Sequence, residues 1–482
     1  MQIPFIGPSY TARSADIDAQ RSVNLYTELK ESGDAKGEPQ EKYSLIGTPG
    51  YTVFCQLPTA PVRGTWVTQE RMFAVAGNKL YEVFSNGTFN ALGTLLTSNY
   101  YVGISDNGLQ LCIVDGPNQY ILTLSSNAFA VNPSGSQFNG ANVVTFIDGY
   151  FVFPKPFTNK FYLSGLFDGT SLNGLDVGTK EGASDRIVAA INDHRQLYLL
   201  GEVTTEPWYD AGTASFPLAP IQGIFIETGC AGAFTVVKQD NSLIWLGQDS
   251  KGQGIVYSIQ GFTPTRISTH AIEKIIKSWG DLDSAIAYSY QEEGHSFYVL
   301  NHPQAETTLV YDSATSQWHE RQAYSHATGL LTRHRANFSV NFANMHILGD
   351  WQTGVLYLSS LDTYSDAGQP LVRKRRAPHI SNDLQRIFYS YFQVDMETGV
   401  GIDGSGQGVA PVMTMRYSND GGHTWSQDRT KSMGAIGVHK ARAYWNKLGY
   451  GRDRVFEIEI SDPVKVVLID AKIRAAAGKA DG

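Results

Sequence analysis

The octet from Ser418 to Trp425, Ser-Asn-Asp-Gly-Gly-His-Thr-Trp, sets a carboxylate, an imidazole and two hydroxyls within eight positions. Such a set could move protons. Two adjacent glycines, however, mark a tight turn, and there a carboxylate's ordinary role is to accept backbone N–H groups. The octet is therefore read as a structural device. Ser418, Asp420, Gly422 and Thr424 shape the turn, Gly421 and Gly422 adopt left-handed conformations, and Trp425 plugs a sheet edge.

The other reactive residues give less. Glycoside hydrolysis needs two carboxylates across a cleft, and no spacing singles out a pair. Asp395, Glu397 and Asp403 lie on a Gly-rich segment that could offer oxygen ligands to Ca²⁺, but a solvated loop is the expected reading. His319, His326 and His334 are irregularly spaced and form no HExxH pattern. No GxSxG elbow, Walker loop or GxGxxG after a strand is present. Neither catalysis, a cofactor nor a bound metal is expected. The four adjacent cations Arg373, Lys374, Arg375 and Arg376 are a candidate contact for DNA phosphate or an acidic partner protein, set against a plain charged linker between domains.

The elements that carry these residues are expected to be strands. The 482 residues suffice for two or three sizeable cores. Charged residues make up 17%, against 48 glycines and 25 tyrosines, which suits pleated sheets with many tight turns. A net charge of −8 argues against a general nucleic-acid coat, though an acidic lumen could still confine DNA and let it slide. Cys55, Cys112 and Cys230 are scattered and odd in number, so buried free thiols are expected. The first twenty residues lack the pattern of a secretory signal, and no run of 18 apolar residues suggests a membrane helix. Folding in a cytoplasm is expected.

Residues 1–60 read as an arm, with Arg21–Tyr26 alternating like a short strand and 31–41 as a solvated loop. From about Val67 to Leu361, paired apolar-aromatic runs recur around Gly, Asn or Asp turns, as hairpins require. MFAVAG with LYEVFSNGTF, LQLCIVDG with QYILTL, and YFVFP with KFYLSG are three of about seven such pairs. Spacings of roughly 37 to 52 residues are those of propeller blades, with six to eight blades admissible. Ile272, Ile275, Ile276 and Trp279 fall at helical spacing and predict a short helix between blades. Past residue 366 the strands alternate strictly: Met413, Met415 and Tyr417 point one way, and Phe456, Ile458 and Ile460 alternate with glutamates. That pattern predicts a β-sandwich over about 370–475, followed by a frayed tail. The expected architecture is all-β: an irregular propeller over 61–365 and a sandwich platform over 366–482 that the N-terminal segment helps to build.

The octet looks like an Asp-box, the hairpin repeated in sialidase-type propellers, but here it occurs once and outside the propeller. The chain as a whole resembles another family, the packaged-DNA stabilisation or tail-nozzle proteins of short-tailed bacteriophages. The resemblance rests on RSVNLY and TPGY near the start, on ISTHAIEKI at 267–276, and above all on VRKRRAPHIS, MRYSNDGGHTWS and MGAIGVHKARAYWNKLGYGRDRVFEIEIS in that order. It implies a homohexameric ring in the virion tail, assembled in the host cytoplasm below the portal and an adaptor ring. Such a ring closes the DNA exit, retains the packaged double-stranded genome and anchors tail fibres or tailspikes. It also implies a platform, expected around Trp425, Trp445 and Arg452, where neighbouring rings dock; Arg442, Arg452 and Arg454 are candidate pairs for acidic neighbours, set against strand-facing ion pairs within the chain. The competing reading is a carbohydrate-binding or sialidase-like propeller.

Overall fold

The computed structural model describes residues 4–30, 42–133, 137–213, 216–382 and 385–477. The expected loop at 31–41 and the last residues of the tail lie outside them. Each paired run of the sequence is the middle of a four-stranded antiparallel sheet, and seven such sheets form a closed ring. The middle strands are apolar on both sides because both faces are covered by neighbouring blades. Met72 to Ala76 is buried at every position, as is Leu111 to Val114. Seven separate apolar clusters fill the gaps between successive blades, from Phe73, Leu80 and Leu111 between the first two to Cys55, Met72 and Ile347 between the last and the first.

Each blade also has an inner strand facing the central channel and an outer one, which faces solvent except where blade six meets the N-terminal segment and blade seven meets Ser365–Asp366. Most of these strands are partly exposed and lack a continuous apolar run. Inner strands such as Val62–Thr68, Gly103–Asp106 and Ile187–Asp193 line the channel. The turns from inner to second strand are tight. Six of the seven place two consecutive residues at positive φ, as at His194-Arg195, Asp240-Asn241 and Ala343-Asn344, which is the primed geometry that matches strand twist. The predicted helix is His270–Lys277, capped by Thr269 and packed through Ile272 and Ile276 between blades five and six.

The ring closes with a strand from the other end of the chain. Gly50–Gln56 pairs antiparallel with Val355–Ser360 and is the outer strand of blade seven. The expected division at residue 60 shifts accordingly: this strand belongs to the propeller, where it completes the last blade with a segment that leads straight into the first.

Two sheets enclose the sandwich core, in which Phe392 stacks on Phe456 and Trp445 is buried. One contains Ala19–Val23, Arg373–Arg376, Asp453–Ile460, Val412–Ser418 and Arg429–Ser432 in spatial order. The other runs Leu25–Lys30, Lys42–Gly47, Val467–Ala477, Ile387–Met396 and Ala443–Asn446. The N-terminal segment thus supplies strands to both sheets, and the strand read across Arg21–Tyr26 is broken at Asn24. The first sheet does not stop at the sandwich. Val23 pairs with Glu320 on the outer strand of blade six, so one hydrogen-bonded sheet runs from the channel wall to the sandwich's far edge.

Asn24 makes that break possible. It is fully buried at φ +53°, a conformation Asn tolerates better than most residues. Its Nδ2 donates to the carbonyls of Gln322 (2.9 Å) and Val372 (2.8 Å), and its Oδ1 accepts from the Gln322 N–H (3.0 Å). Asn24→Ala strands these partners and keeps the positive φ. It is expected to cost roughly 3–5 kcal/mol, read as a lowered midpoint of urea unfolding, with Asn24→Gly recovering only the backbone part.

Candidate functional site

The residues singled out in the sequence converge where the propeller, the N-terminal arm and the sandwich meet. Arg373–Arg376 is a strand, so its side chains alternate between faces. Arg373 and Arg375 point inward and are buried. Arg375 donates to the carbonyls of Phe5 (2.6 Å) and Pro8 (2.8 Å), to Ser22 Oγ (3.1 Å) and to Gln20 Oε1 (2.8 Å). Arg373 donates to the carbonyls of Leu371 (3.4 Å) and Asp462 (3.3 Å). Burial pushes both guanidinium pKa values down, Arg375 to about 9 and Arg373 to about 10. Facing the other way, Lys374 pairs with Glu459 at 3.0 Å and Arg376 with Glu457 at 2.7 Å. The expectation that this run meets DNA or a partner protein, set against a charged linker, draws no support from this geometry. Its cations are engaged within the chain: Arg375 holds the arm, while Arg373, Lys374 and Arg376 bind groups beside or within the sandwich.

The Ser418–Trp425 turn lies next to the same strand. Ser418 Oγ donates to Asp420 Oδ1 (2.6 Å) and accepts from the Gly422 N–H (2.8 Å). Asp420 accepts from the Thr424 N–H (2.8 Å) and Thr424 Oγ1 (2.6 Å). The bonds from Ser418 and Thr424 hold its carboxyl well below the usual range. Gly421 and Gly422 have φ +68° and +96°. A Cβ at Gly421 would also come within 2.2 Å of Asp16 Oδ1 on the arm, so a larger residue would have to displace that carboxylate as well as adopt the positive φ. The guanidinium carbons of Arg376 and Arg416 each lie 4.8 Å from the Trp425 ring centre. Both arginines bind the buried Glu457. The basic run and the turn, 49 residues apart at Arg376 and Trp425, thus meet in one cation–aromatic–carboxylate cluster.

Two residues of the junction carry no sequence signal. Glu320 sits in the run Gln317–Gln322, where a charged residue reads as exposed, yet it is buried on blade six. It accepts from Ser9 Oγ (2.6 Å) and Arg21 Nε (2.9 Å). His379 bridges Asp453 and the Ala15 carbonyl, each at 2.7 Å, and pins the arm a second time. Arg454 is buried against Tyr389 and Tyr417 and donates to its own loop, so it is not presented to a neighbour. Asp395 and Glu397 pair with Lys472 and Lys465. Among the described residues no cluster of His, Cys, Asp and Glu could hold a metal ion, and no helix is long and apolar enough to cross a membrane. The three cysteines are free and buried.

Burial alone would push the Glu320 carboxyl up, but Arg21 and the Ser9 hydroxyl pull it below its ordinary value. A depressed carboxyl contributes stability that is present above the unfolded value, about 4.3, and lost as pH falls through the folded one. The unfolding midpoint is therefore expected to drop steeply below about pH 4. Glu320→Gln should flatten that dependence and cost about 3 kcal/mol at neutral pH, which pH-dependent denaturation checks.

Comparison with known proteins bears on this architecture directly. The family model described as bacteriophage P22 Gp10, beta-propeller, matches residues 1–364, and bacteriophage P22 Gp10, beta-sandwich, matches residues 373–476. No curated protein matches the chain. Among solved structures, similar folds include a chain of the mitotic checkpoint complex (12% identity, TM-score 0.38, 62% of this chain and 88% of that one). The N-terminal domain of Nup159 is similar at 13% identity and TM-score 0.40, over 70% of this chain and 99% of that one. The WD40 β-propeller domain of Doa1 is similar at 11% and 0.40, over 64% and 97%. With a propeller and a sandwich of one family matched in order over most of its length, this chain belongs to the bacteriophage P22 Gp10 family of phage tail structural proteins.

Proposed function

We propose that the chain is the subunit of a homohexameric nozzle ring that closes the DNA exit of the tail, retains the packaged genome and anchors tail fibres or tailspikes. Its partners in this reading are further copies of itself, the adaptor ring above and the double-stranded DNA in the lumen. Its place is the tail of the virion, reached after assembly in the host cytoplasm. The role is mechanical and non-catalytic.

The observation that carries the reading is the continuous sheet from the channel wall of blade six to the far edge of the sandwich, clamped by Asn24, Glu320 and Arg375. A gate that holds packed DNA transmits force between the part that blocks the exit and the part that docks on its neighbours. A hydrogen-bonded sheet with buried cross-links suits that task better than a mobile linker, since domains joined by small polar interfaces move relative to one another. The glycan-binding reading draws no support from the Asp-box, whose carboxylate is engaged within its own turn.

The test is an infection in which the chain is withheld and then supplied from a plasmid. Particles lacking it should fill with DNA and then lose it. Supplying it should restore filled particles bearing a six-fold density at the exit by electron microscopy. Particles that keep their DNA without the chain sink the retention role, and a different symmetry sinks the hexamer.

A further inference from the structure

The segment from Arg429 to Arg452 contains six cations, Arg429, Lys431, Lys440, Arg442, Lys447 and Arg452, and no Asp or Glu. Among the described residues none of the six is in an ion pair; Arg429 donates to the Asn446 carbonyl at 3.3 Å, and Lys431 lies over the Tyr444 ring at 5.5 Å. This contrasts with the Arg373–Arg376 run, whose cations are all engaged. The segment supplies the last strand of both sandwich sheets, Arg429–Ser432 in one and Ala443–Asn446 in the other. In each sheet that strand is furthest from the strands that touch the propeller, so the basic rim projects away from its own blades. The rim is also apolar: Ile436 is 61% and Tyr450 56% exposed, with Val438 and Phe388 exposed beside them.

The rest of the chain has the opposite charge. Residues 373–476 hold 16 Lys and Arg against 11 Asp and Glu, while the remainder holds 22 against 35. Much of that excess collects on one face of the propeller. The turns joining the two innermost strands of the blades surround one mouth of the channel, and they carry Glu70, Asp148, Asp193, Asp240, Glu292 and Glu293. The countercharges there include Arg195 on Asp148 at 3.1 Å, Lys238 on Asp193 at 4.0 Å and the His194 imidazole 2.7 Å from Asp193; Glu70, Glu292 and Glu293 are in no ion pair among the described residues. Leu109, Leu166 and Phe167 stand exposed on the same face.

We infer that the basic rim of one subunit's sandwich docks on the acidic turn face of a second copy's propeller. The inference rests on the ring reading above and specifies its contact. Two different surfaces of one chain make a head-to-tail interface, which closes into a ring when the rotation between copies permits. Exposed apolar side chains at the centre of a charged patch favour a protein surface over a phosphate backbone, which rewards cations alone. The charges supply steering and register, and the apolar groups supply the buried area.

The experiment is sedimentation velocity of the full chain at about 50 mM and about 500 mM salt, the range over which screening shortens from roughly 14 to 4 Å. The wild-type chain should self-associate at low salt and weaken on raising it. R442E combined with R452E should weaken association about tenfold or more, as should E70K combined with E293K, with unchanged thermal melting. All four substitutions together should recover most of the loss. A wild-type chain that stays monomeric at low salt overturns the inference, as does self-association that neither pair of reversals affects. Unchanged association with weakened binding of duplex DNA by R442E/R452E overturns it in favour of a DNA-facing rim. Each of these leaves the nozzle reading standing if the withheld chain still empties the particles; particles that stay filled without the chain sink that reading instead.

Discussion

Asn24 holds the N-terminal arm to two stretches of chain that follow it by 298 and 348 residues. Its backbone turns from one sandwich sheet to the other, its N–H bonds the Glu320 carbonyl of blade six, and its carbonyl receives the Thr48 N–H just before the closing strand. Its side chain ties Gln322 of the propeller to Val372 at the entry to the sandwich. A buried polar group left without a partner costs free energy, so the carbonyls and the amide bonded to Asn24 favour the arrangement in which it keeps its place. The Glu320–Arg21 pair and the Arg375 fan repeat the logic one residue layer out. Buried ion pairs add little net stability relative to apolar packing, but they penalise every arrangement that leaves one partner alone. What they contribute here is a single relative placement of arm, blade and sandwich.

The propeller around that junction obeys a different constraint. Each four-stranded blade has two apolar faces and can bury them only against neighbours, so the structure has seven interfacial cores and no common centre. The channel is what remains at the axis. Its walls are the strands with least side chain to bury, and its mouth is rimmed by tight turns whose geometry favours small polar residues. The acidic character of that rim follows in part from turn chemistry, as at Asp148 and Asp240, which both take positive φ.

How much was legible in the sequence follows from the same physics. The middle strands of all seven blades stood out because burial on both faces leaves an uninterrupted apolar run, as in Met72–Ala76. Inner and outer strands such as Ala128–Asn132 are half exposed and could not be told from loops. The helix at His270–Lys277 was visible because a capping threonine and isoleucines at helical spacing agree. Arg373–Arg376 was legible as a strand-length cationic run but not as a clamp, since sequence reading assumes that charge seeks water, and only the tertiary fold brings the Phe5 and Pro8 carbonyls to Arg375. Glu320 and Asn24 were invisible for that reason too. The Asp-box turn was readable in its local bonds, whereas the approach of Arg376 and Arg416 to Trp425 depends on the Arg373–Arg376 strand far upstream and on the strand that precedes the turn.

Closure of the ring by Gly50–Gln56 also sets an order in time. That strand leaves the ribosome about 300 residues before its partner Val355–Ser360, a wait of roughly 15–60 s at ~5–20 residues per second. The arm strand Ala19–Val23 waits longer still, for Arg373–Arg376. During synthesis both are unpaired edges, the kind that invites pairing with the wrong chain. Blade seven cannot form until Ser360 has been made, and the first sandwich sheet cannot form until Asp453–Ile460 has. A chain ended before Val355 therefore has no closed propeller and one ended before Asp453 has no first sandwich sheet, so the order of translation sets the order in which the two parts become complete.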